Sequence, residues 1–284
     1  MAIPRGVKLS VIVPAYNEAS RIIANLRVLD RSLRALKRSF EIVVVDDASK
    51  DGTAALVKEE AKRNRRIKLV TCKQNEGKGQ ALRRGFKASS GKIVGFIDAD
   101  MDLHPRYLNV LIKQIEGDRA DIAVGSKLHP QSRVKYPVFR RFLSFWYRLL
   151  TRLLFRLKVR DTQVGLKVFN RSVLDEVMPR LLVKRFAFDV ELLAVAQYYG
   201  YIRIIEAPVA LDYQFSSTIR PSDVRGMLLD TLAIFYRLRI LRYYQRQRPE
   251  PAVTIVSEGT QLSELDSPPV AGLRIGWLQR RRRR

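Results

Sequence analysis

Three aspartates follow a short apolar segment in the first half of the chain. Residues 93–97 are mostly apolar and favour a strand that is buried on both faces. Asp98, Asp100 and Asp102 then occupy alternate positions, and in extended backbone such side chains share a face about 6–7 Å apart. Carboxylates suit a hard cation such as Mg²⁺, which takes one or two of them and completes its shell with water and phosphate oxygens. The pattern predicts a metal-bridged diphosphate at the edge of an α/β sheet, and a solvated acidic turn is the alternative.

The overall composition narrows the class of protein. Of 284 residues, 53 are Lys or Arg and 28 are Asp or Glu, so the net charge is +25, which indicates nucleic acid, an anionic membrane or a phosphorylated substrate as partner. One cysteine, Cys72, excludes an internal disulfide and a cysteine-based zinc site. The two histidines disfavour a histidine-rich metal site or a Ser-His triad. The length suggests one large α/β domain, with or without an appendage.

Strand-like and helix-like segments alternate through the first 125 residues. A helix is indicated up to about residue 37 by apolar positions at helical spacing, and others follow the next strands. This alternation predicts a mainly parallel, doubly wound sheet flanked by helices. The segments that favour its strands are 9–14, where Pro14 is expected to end the strand, 40–45, 67–70, 93–97, 122–125, 164–169 and 201–209.

Two later segments combine basic and aromatic residues. Between Arg133 and Arg160 there are nine Lys or Arg residues and no acid, and four arginines from Arg148 to Arg160 recur every fourth position. A basic stripe beside an apolar face predicts an interfacial amphipathic helix over 133–160; a core helix with a solvated outer face is the alternative. A second helix of this kind is expected over 227–244. The C-terminal residues 249–284 read as a linker or disordered tail ending in an arginine cluster, which either binds membrane or is solvated.

The hydropathy of the chain indicates a peripheral location. No stretch reaches about 18 uncharged apolar residues, so we expect no transmembrane helix. The N-terminal segment 1–8 lacks the apolar core of a signal peptide. We therefore expect the protein at the cytoplasmic face of a membrane.

Three motifs together resemble those of the family 2 glycosyltransferases, which have the Rossmann-like GT-A fold. They are Val13-Pro-Ala-Tyr-Asn-Glu18, Val45-Asp-Asp-Ala-Ser49 and Asp98-Ala-Asp100, in the order and spacing of the family. Within the family, segments 161–167 and 185–192 look closest to the dolichyl-phosphate glucosyltransferase branch. The chain also resembles the mannosyl branch. That branch, however, has a basic motif after the last core strand, and residues 214–217 do not match it.

The resemblance assigns roles to residues of this chain. Asp46 would read the base edge, Asp98, Asp100 and Asp102 would hold Mg²⁺ or Mn²⁺, and Asp100 would also be catalytic. Lys127, Arg140 and Ser144 would bind the phosphate of the acceptor; an arginine and a serine one helical turn apart can grip it together. The other residues expected at the nucleotide sugar are Pro14, Tyr16, Glu18, Asp47, Ser49, Lys78 and Asp98. For Asp46 and Asp47 the alternative is capping of strand ends, and for Lys78 it is a solvated loop.

Asp189 is the second catalytic candidate. It aligns with the general base of family members that act on sugar hydroxyls. A phosphate acceptor, with a second pKa of about 6, is already ionised and needs no base, so we expect Asp189 to position the substrate. The alternative is an acid favoured by the dipole of a helix N-terminus.

The resemblance implies an inverting transfer of a hexose, with glucose from UDP-glucose favoured, to polyprenyl or dolichyl phosphate. GDP-mannose as donor, and a soluble or polysaccharide acceptor, are the enzymatic alternatives. A basic nucleic-acid-binding protein is the non-enzymatic one, but no nucleic-acid module is visible. The expected domains are a transferase domain over 1–215, a basic membrane-associating helix over 216–248 and the tail 249–284.

Overall fold

The computed structural model describes residues 8–132, 138–185, 187–210 and 221–246, the side chains of 138–143, 221–223 and 246 excepted. Seven strands form one sheet in the order β3-β2-β1-β4-β6-β5-β7. The strands are β1 (Leu9–Ala15), β2 (Phe40–Asp46), β3 (Ile67–Thr71), β4 (Ile93–Phe96), β5 (Ile122–Ser126), β6 (Lys167–Asn170) and β7 (Ile204–Pro208). The helices are α1 (Ile22–Arg34), α2 (Thr53–Arg63), α3 (Lys78–Ala88), α4 (Arg106–Glu116), α5 (Val138–Phe155), α6 (Arg171–Val177), α7 (Phe188–Tyr198), α8 (Pro221–Phe235) and α9 (Tyr243–Arg246), with a 3-10 turn at Met178–Arg180 and a π-helical turn at Tyr236–Ile240.

The predicted α/β architecture is confirmed: all strands of the sheet run parallel except β6. That strand lies antiparallel between β4 and β5, with Phe96 opposite Lys167. The first residue of β6 therefore lies at the carboxyl end of β4, the edge at which parallel α/β sheets bind ligands.

The central strands are apolar because both faces of the sheet are covered. Every residue of β2 is buried, and in β1 only Pro14 is partly accessible. We predicted that Pro14 would end β1, but the strand continues to Ala15. Pro14 is tolerated because pairing with β4 stops at Ile12, so no neighbouring strand on that side requires its missing N–H.

Helix α5 is shorter than the amphipathic helix predicted over 133–160. It ends at Phe155, and Arg156 has a positive φ of 53°, which breaks the helical path. Only Arg148 and Arg152 of the expected basic stripe are therefore on the helix, and residues 133–137 lie outside the described part. The strand predicted over 164–169 begins only at Lys167.

Helices α5 and α8 pack against each other and turn a second apolar face outward. Tyr147 and Thr231 share a hydrogen bond of 2.9 Å, and the rings of Phe155 and Phe235 meet edge to face. The opposite sides carry exposed apolar side chains at helical spacing. These are Phe145, Trp146, Leu149 and Leu153 on α5, Leu228, Leu229 and Leu232 on α8, and Tyr236 and Ile240 on the π-helical turn. Among the described helices, none combines the length and apolarity needed to cross a bilayer.

Candidate active site

A cavity of about 380 Å³ opens at the carboxyl ends of β1, β2 and β4. Its walls come from the loops that follow these strands, from the start of α3 and from the segment before α7. It is lined by Pro14, Ala15, Tyr16, Glu18, Asp47, Asn75, Gly77, Lys78, Ala81, Asp98, Ala99, Asp100 and Arg185. A second cavity of similar volume lies between α1 and α2 and holds none of the expected site residues.

The loops after β1 and β2 are tied together by hydrogen bonds. The Asn17 N–H donates to Ser49 Oγ, and the Lys50 N–H donates to Asn17 Oδ1, both at 2.9 Å. The Glu18 N–H donates to Thr53 Oγ1 at 2.9 Å. These bonds fix the backbone that presents Tyr16 to the cavity. Ser49, which we expected at the nucleotide, connects the two loops through its hydroxyl group.

The two aspartates at the end of β2 have different surroundings. Asp47 accepts hydrogen bonds from the N–H groups of Glu76 and Gly77, at 3.1 and 2.8 Å, and so holds the loop that leads into α3. Asp46 is buried and accepts from the Ser49 N–H through Oδ2 at 3.2 Å. Its Oδ1 is buried and has no hydrogen-bond partner among the described residues. A buried acceptor of this kind suits an N–H donor of a bound nucleobase.

Four charged residues of alternating sign form a chain from the interior to the cavity. Buried Lys167 contacts Asp189 Oδ1 at 2.7 Å, and its Nζ also donates to the Val164 carbonyl. Asp189 Oδ2 lies 3.9 Å from Lys78 Nζ, which in turn contacts Asp98 Oδ1 at 2.6 Å. Burial opposes the charge of Lys78, but Asp98 and Asp189 raise its pKa above the ordinary value. This series of ion pairs holds the ammonium group of Lys78 at the cavity wall.

The acidic turn does not have the extended backbone assumed from the sequence. The Met101 N–H bonds back to the Asp98 carbonyl at 3.1 Å, and Met101 has a φ of 49°. Accordingly, no group of three acidic, histidine or cysteine side chains within the described residues surrounds a common point. Asp98, Asp100 and Asp102 as a three-ligand set stay a prediction.

The chemistry of Asp100 nevertheless fits a divalent cation. Burial and the charges of Asp98 and Asp102 raise the pKa of Asp100 to about 6. A cation would relieve this repulsion, and Mg²⁺ or Mn²⁺ sites that also bind phosphates need only one or two carboxylates. The opposite effect governs Asp98: burial would raise its pKa, but Lys78 overcomes this and keeps the pKa low, with smaller contributions from Lys167 and Lys127.

The three residues expected to bind the acceptor phosphate have different surroundings in the structure. The charge of Lys127 acts on Asp98, and the Lys127 N–H donates to Asp161 Oδ2 at 3.0 Å. Ser144 is exposed on α5. The side chain of Arg140 lies outside the described residues, so the expected Arg140–Ser144 pair stays a prediction.

Sequence reasoning did not assign three residues that the fold brings to this site. Gly165 lies against Asp98, Lys167 pairs with Asp189, and Arg185 lines the cavity. All three lie in the segments 161–167 and 185–192, which were used only to recognise a branch of the family. The sequence signal that could have identified them is the presence of a glycine, a lysine and an arginine within these two segments.

Comparison with known proteins identifies the family to which the chain is similar. Residues 10–178 match the model of glycosyl transferase family 2. The chain is 36% identical over 205 residues to dolichyl-phosphate beta-glucosyltransferase of Dictyostelium discoideum, which covers 68% of this chain and 63% of that protein. It is 33% identical over 211 residues to the protein of the same name from Homo sapiens, covering 68% and 64%. The match thus spans just under two thirds of the length of these relatives.

Solved structures share the fold. Glucosyl-3-phosphoglycerate synthase from Mycobacterium tuberculosis, in complex with Mn²⁺, UDP-glucose and phosphoglyceric acid, superposes with a TM-score of 0.62. The alignment covers 81% of this chain and 79% of that one at 20% identity. At this identity the likeness concerns the fold alone.

Proposed function

Because the chain belongs to glycosyl transferase family 2, we propose that it transfers a hexose from a nucleotide diphosphate to the phosphate of a polyprenyl or dolichyl phosphate. UDP-glucose is the favoured donor. The main support is the similarity to proteins named dolichyl-phosphate beta-glucosyltransferase, at 32–36% identity over most of the chain. The cavity at the carboxyl ends of the strands supplies matching groups for the donor.

Residues in and beside the cavity offer counterparts for the base and the diphosphate of the donor. The free Oδ1 of Asp46 suits an N–H of the base. Asp100, with Asp98 and Asp102 beside it, would hold a divalent ion, which when bound neutralises charge on the leaving diphosphate. Lys78 places a positive charge at the same wall, where it stabilises that charge as well.

The acceptor determines which proton transfers are needed. An oxygen of the acceptor phosphate attacks C1 of the hexose as the bond from C1 to the diphosphate oxygen breaks, and the nucleoside diphosphate leaves with the electron pair. The nucleophile is an ionised phosphate, so no base takes a proton. Asp189 is already engaged by Lys167 at 2.7 Å, which suits a residue that orients sugar hydroxyls.

The outward apolar faces of α5 and α8 suit the bilayer surface that contains such an acceptor. Rows of exposed apolar side chains, as on these two helices, are typical of interaction sites. Arg148, Arg152, Arg239 and Arg242 lie on or beside these helices. Anionic lipids attract such arginines, by about 1 kcal/mol each near the surface. We propose peripheral binding at the cytoplasmic face. The division into 1–215, 216–248 and 249–284 is part of this proposal, and the tail lies outside the described residues.

Sugar transfer to a lipid phosphate tests the proposal directly. The full chain is incubated with polyprenyl phosphate in detergent, Mg²⁺ or Mn²⁺, and labelled UDP-glucose or GDP-mannose, with EDTA and Asp100→Ala as controls. Metal-dependent label in the lipid from UDP-glucose is the expected result. Label from GDP-mannose alone would show that GDP-mannose, and not UDP-glucose, is the donor. Donor turnover onto a soluble or polysaccharide acceptor without lipid label would refute the acceptor assignment.

A further inference from the structure

Arg185 occupies a fixed place at the rim of the donor cavity. It lies in the segment between the 3-10 turn and α7, and it lines the same cavity as the acidic turn. Gly77 has a φ of 96°, and a Cβ there would come within 2.8 Å of Arg185 Cγ and 2.9 Å of the Lys184 carbonyl oxygen. The aliphatic part of Arg185 therefore lies directly on the loop that leads to Lys78.

The backbone around Arg185 is held from two sides. Glu191, which is fully buried in α7, accepts hydrogen bonds from the N–H groups of Leu182 and Val183 at 2.9 and 2.8 Å. On the other side, the Gln80 N–H of α3 donates to the Lys184 carbonyl at 3.2 Å. The segment is thus anchored to both helices that border the cavity, and the position of Arg185 follows from these anchors.

The guanidinium of Arg185 is not engaged in an ion pair within the described part of the chain. Two neighbouring basic residues, by contrast, are engaged in ion pairs. Lys78 contacts Asp98, and Lys184 contacts Glu76 at 3.5 Å. Arg185 is exposed, and its positive charge acts on Asp230 of α8. It therefore presents an available cation between the donor cavity and α8, one of the two helices with an outward apolar face.

We propose that Arg185 binds the phosphate of the lipid acceptor, which deepens and rests on the proposed function. Two anionic groups must approach each other in this reaction, the acceptor phosphate and the donor diphosphate, and their repulsion has to be offset. The acidic turn and Lys78 serve the diphosphate on one wall. Arg185 lines the same cavity next to the loop that carries Lys78, and its charge acts on Asp230 of α8, the side from which a bilayer-bound acceptor would enter. A guanidinium can grip a phosphate through two parallel hydrogen bonds.

Direct binding separates Arg185 from the reaction itself. The full chain is saturated with UDP and Mn²⁺, and farnesyl phosphate, a short polyprenyl phosphate, is titrated by calorimetry. Arg185→Ala is expected to weaken its binding about 10- to 100-fold, the range for hydrogen bonds to charged groups, and Arg185→Lys by less. Lys184→Ala is the matched control, since it removes the neighbouring exposed cation and should bind as the wild type does. Farnesol, which lacks the phosphate, should not distinguish Arg185→Ala from the wild type.

Two outcomes would overturn the assignment of Arg185, and a third would overturn only the proposed function. Weaker UDP binding by Arg185→Ala with unchanged farnesyl phosphate binding would place Arg185 at the leaving diphosphate. Equal losses for both ligands, together with a lower melting temperature, would make it a structural residue. If the wild type transfers no sugar to lipid but its farnesyl phosphate binding depends on Arg185, the proposed function fails and the phosphate site stands.

Discussion

Gly165 lies against the carboxylate of Asp98 so closely that a side chain at residue 165 has no room. A Cβ there would be 2.0 Å from Asp98 Oδ2 and 2.5 Å from its Cγ. The contact arises because β6 runs antiparallel to β4, which brings the segment before Lys167 to the end of the strand that leads into the acidic turn. The position of Asp98 therefore depends on a glycine 67 residues further along the chain.

Gly165→Ala should displace Asp98 and disturb its contact with Lys78. We expect kcat/KM to fall about 100-fold, since misplacing a group by about 1 Å can have that effect. The measurement is sugar transfer, with far-ultraviolet circular dichroism to establish that the sheet is intact.

Gly95→Ala is the matched control for this substitution. Gly95 lies in β4, and a Cβ there would meet its nearest neighbour, Leu108 Cδ2, at 3.4 Å, close to ordinary van der Waals contact. The control should keep most of its activity. Full activity of Gly165→Ala would show that Asp98 need not be held by this contact.

Lys167→Met should destabilise the fold, because it leaves Asp189 buried without its 2.7 Å partner. Removing one member of a buried ion pair costs about 3–5 kcal/mol, and Lys78, at 3.9 Å, would offset part of this. We expect the free energy of unfolding in urea to fall by about 3 kcal/mol. Adding Asp189→Asn should recover part of the loss, and additive effects of the two changes would contradict a direct pairing.

Asp189→Asn alone distinguishes a positioning role of this residue from that of a general base. If the acceptor is an ionised phosphate, the variant should lose about 10-fold in kcat and keep the shape of its pH profile. Loss of a general base would instead cost about 10²- to 10⁴-fold and remove a pH-dependent limb. The measurement is the rate of transfer to polyprenyl phosphate between pH 5.5 and 8.5.

Asp100→Asn should stabilise the protein in the absence of metal. The pKa of Asp100 is raised from 3.8 to about 6, so the folded state binds the proton more tightly than the unfolded state and stability falls as pH rises between these values. An asparagine at this position does not ionise, so the stability of the variant does not fall in this way as the pH rises. At pH 8 with EDTA we expect it to be more stable by at most about 3 kcal/mol, and at pH 4 by almost nothing.

Divalent metal should reverse the order of these two proteins. With Mn²⁺ and UDP the melting temperature of the wild type should rise, whereas that of Asp100→Asn should change little. A stability difference that is the same at pH 4 and pH 8 would contradict the raised pKa.

Trp146→Glu combined with Leu229→Glu should weaken binding to vesicles. Their side chains are 53% and 57% exposed on the outward faces of α5 and α8, and a carboxylate there opposes both apolar insertion and anionic lipid. Flotation with vesicles containing phosphatidylserine should show at least a 10-fold loss of bound protein. Ile202→Glu is the matched control, since Ile202 is 56% exposed just before β7 and belongs to neither helix. Equal losses for the two proteins would argue against a defined docking face.

The sequence by itself determined the sheet and the residues at its binding edge. Short, largely apolar runs such as 40–45, rich in β-branched residues, favour covered strands, and the polar residues that end them then lie where the strands end. Asp46, Asp47 and Asp98 could be placed on this basis, because side-chain alternation and strand termination are local properties of the chain.

Only the tertiary structure decided which distant segments complete the site. The antiparallel insertion of β6, which places Gly165 and Lys167 beside Asp98 and Asp189, depends on a pairing between strands about 70 residues apart, and no local pattern specifies it. The turn at Met101 likewise replaced the extended backbone assumed for the three aspartates. The sequence predicted amphipathic helices, but which apolar face of α5 and α8 packs inward and which is left exposed depends on what the rest of the fold covers, and that is a long-range property.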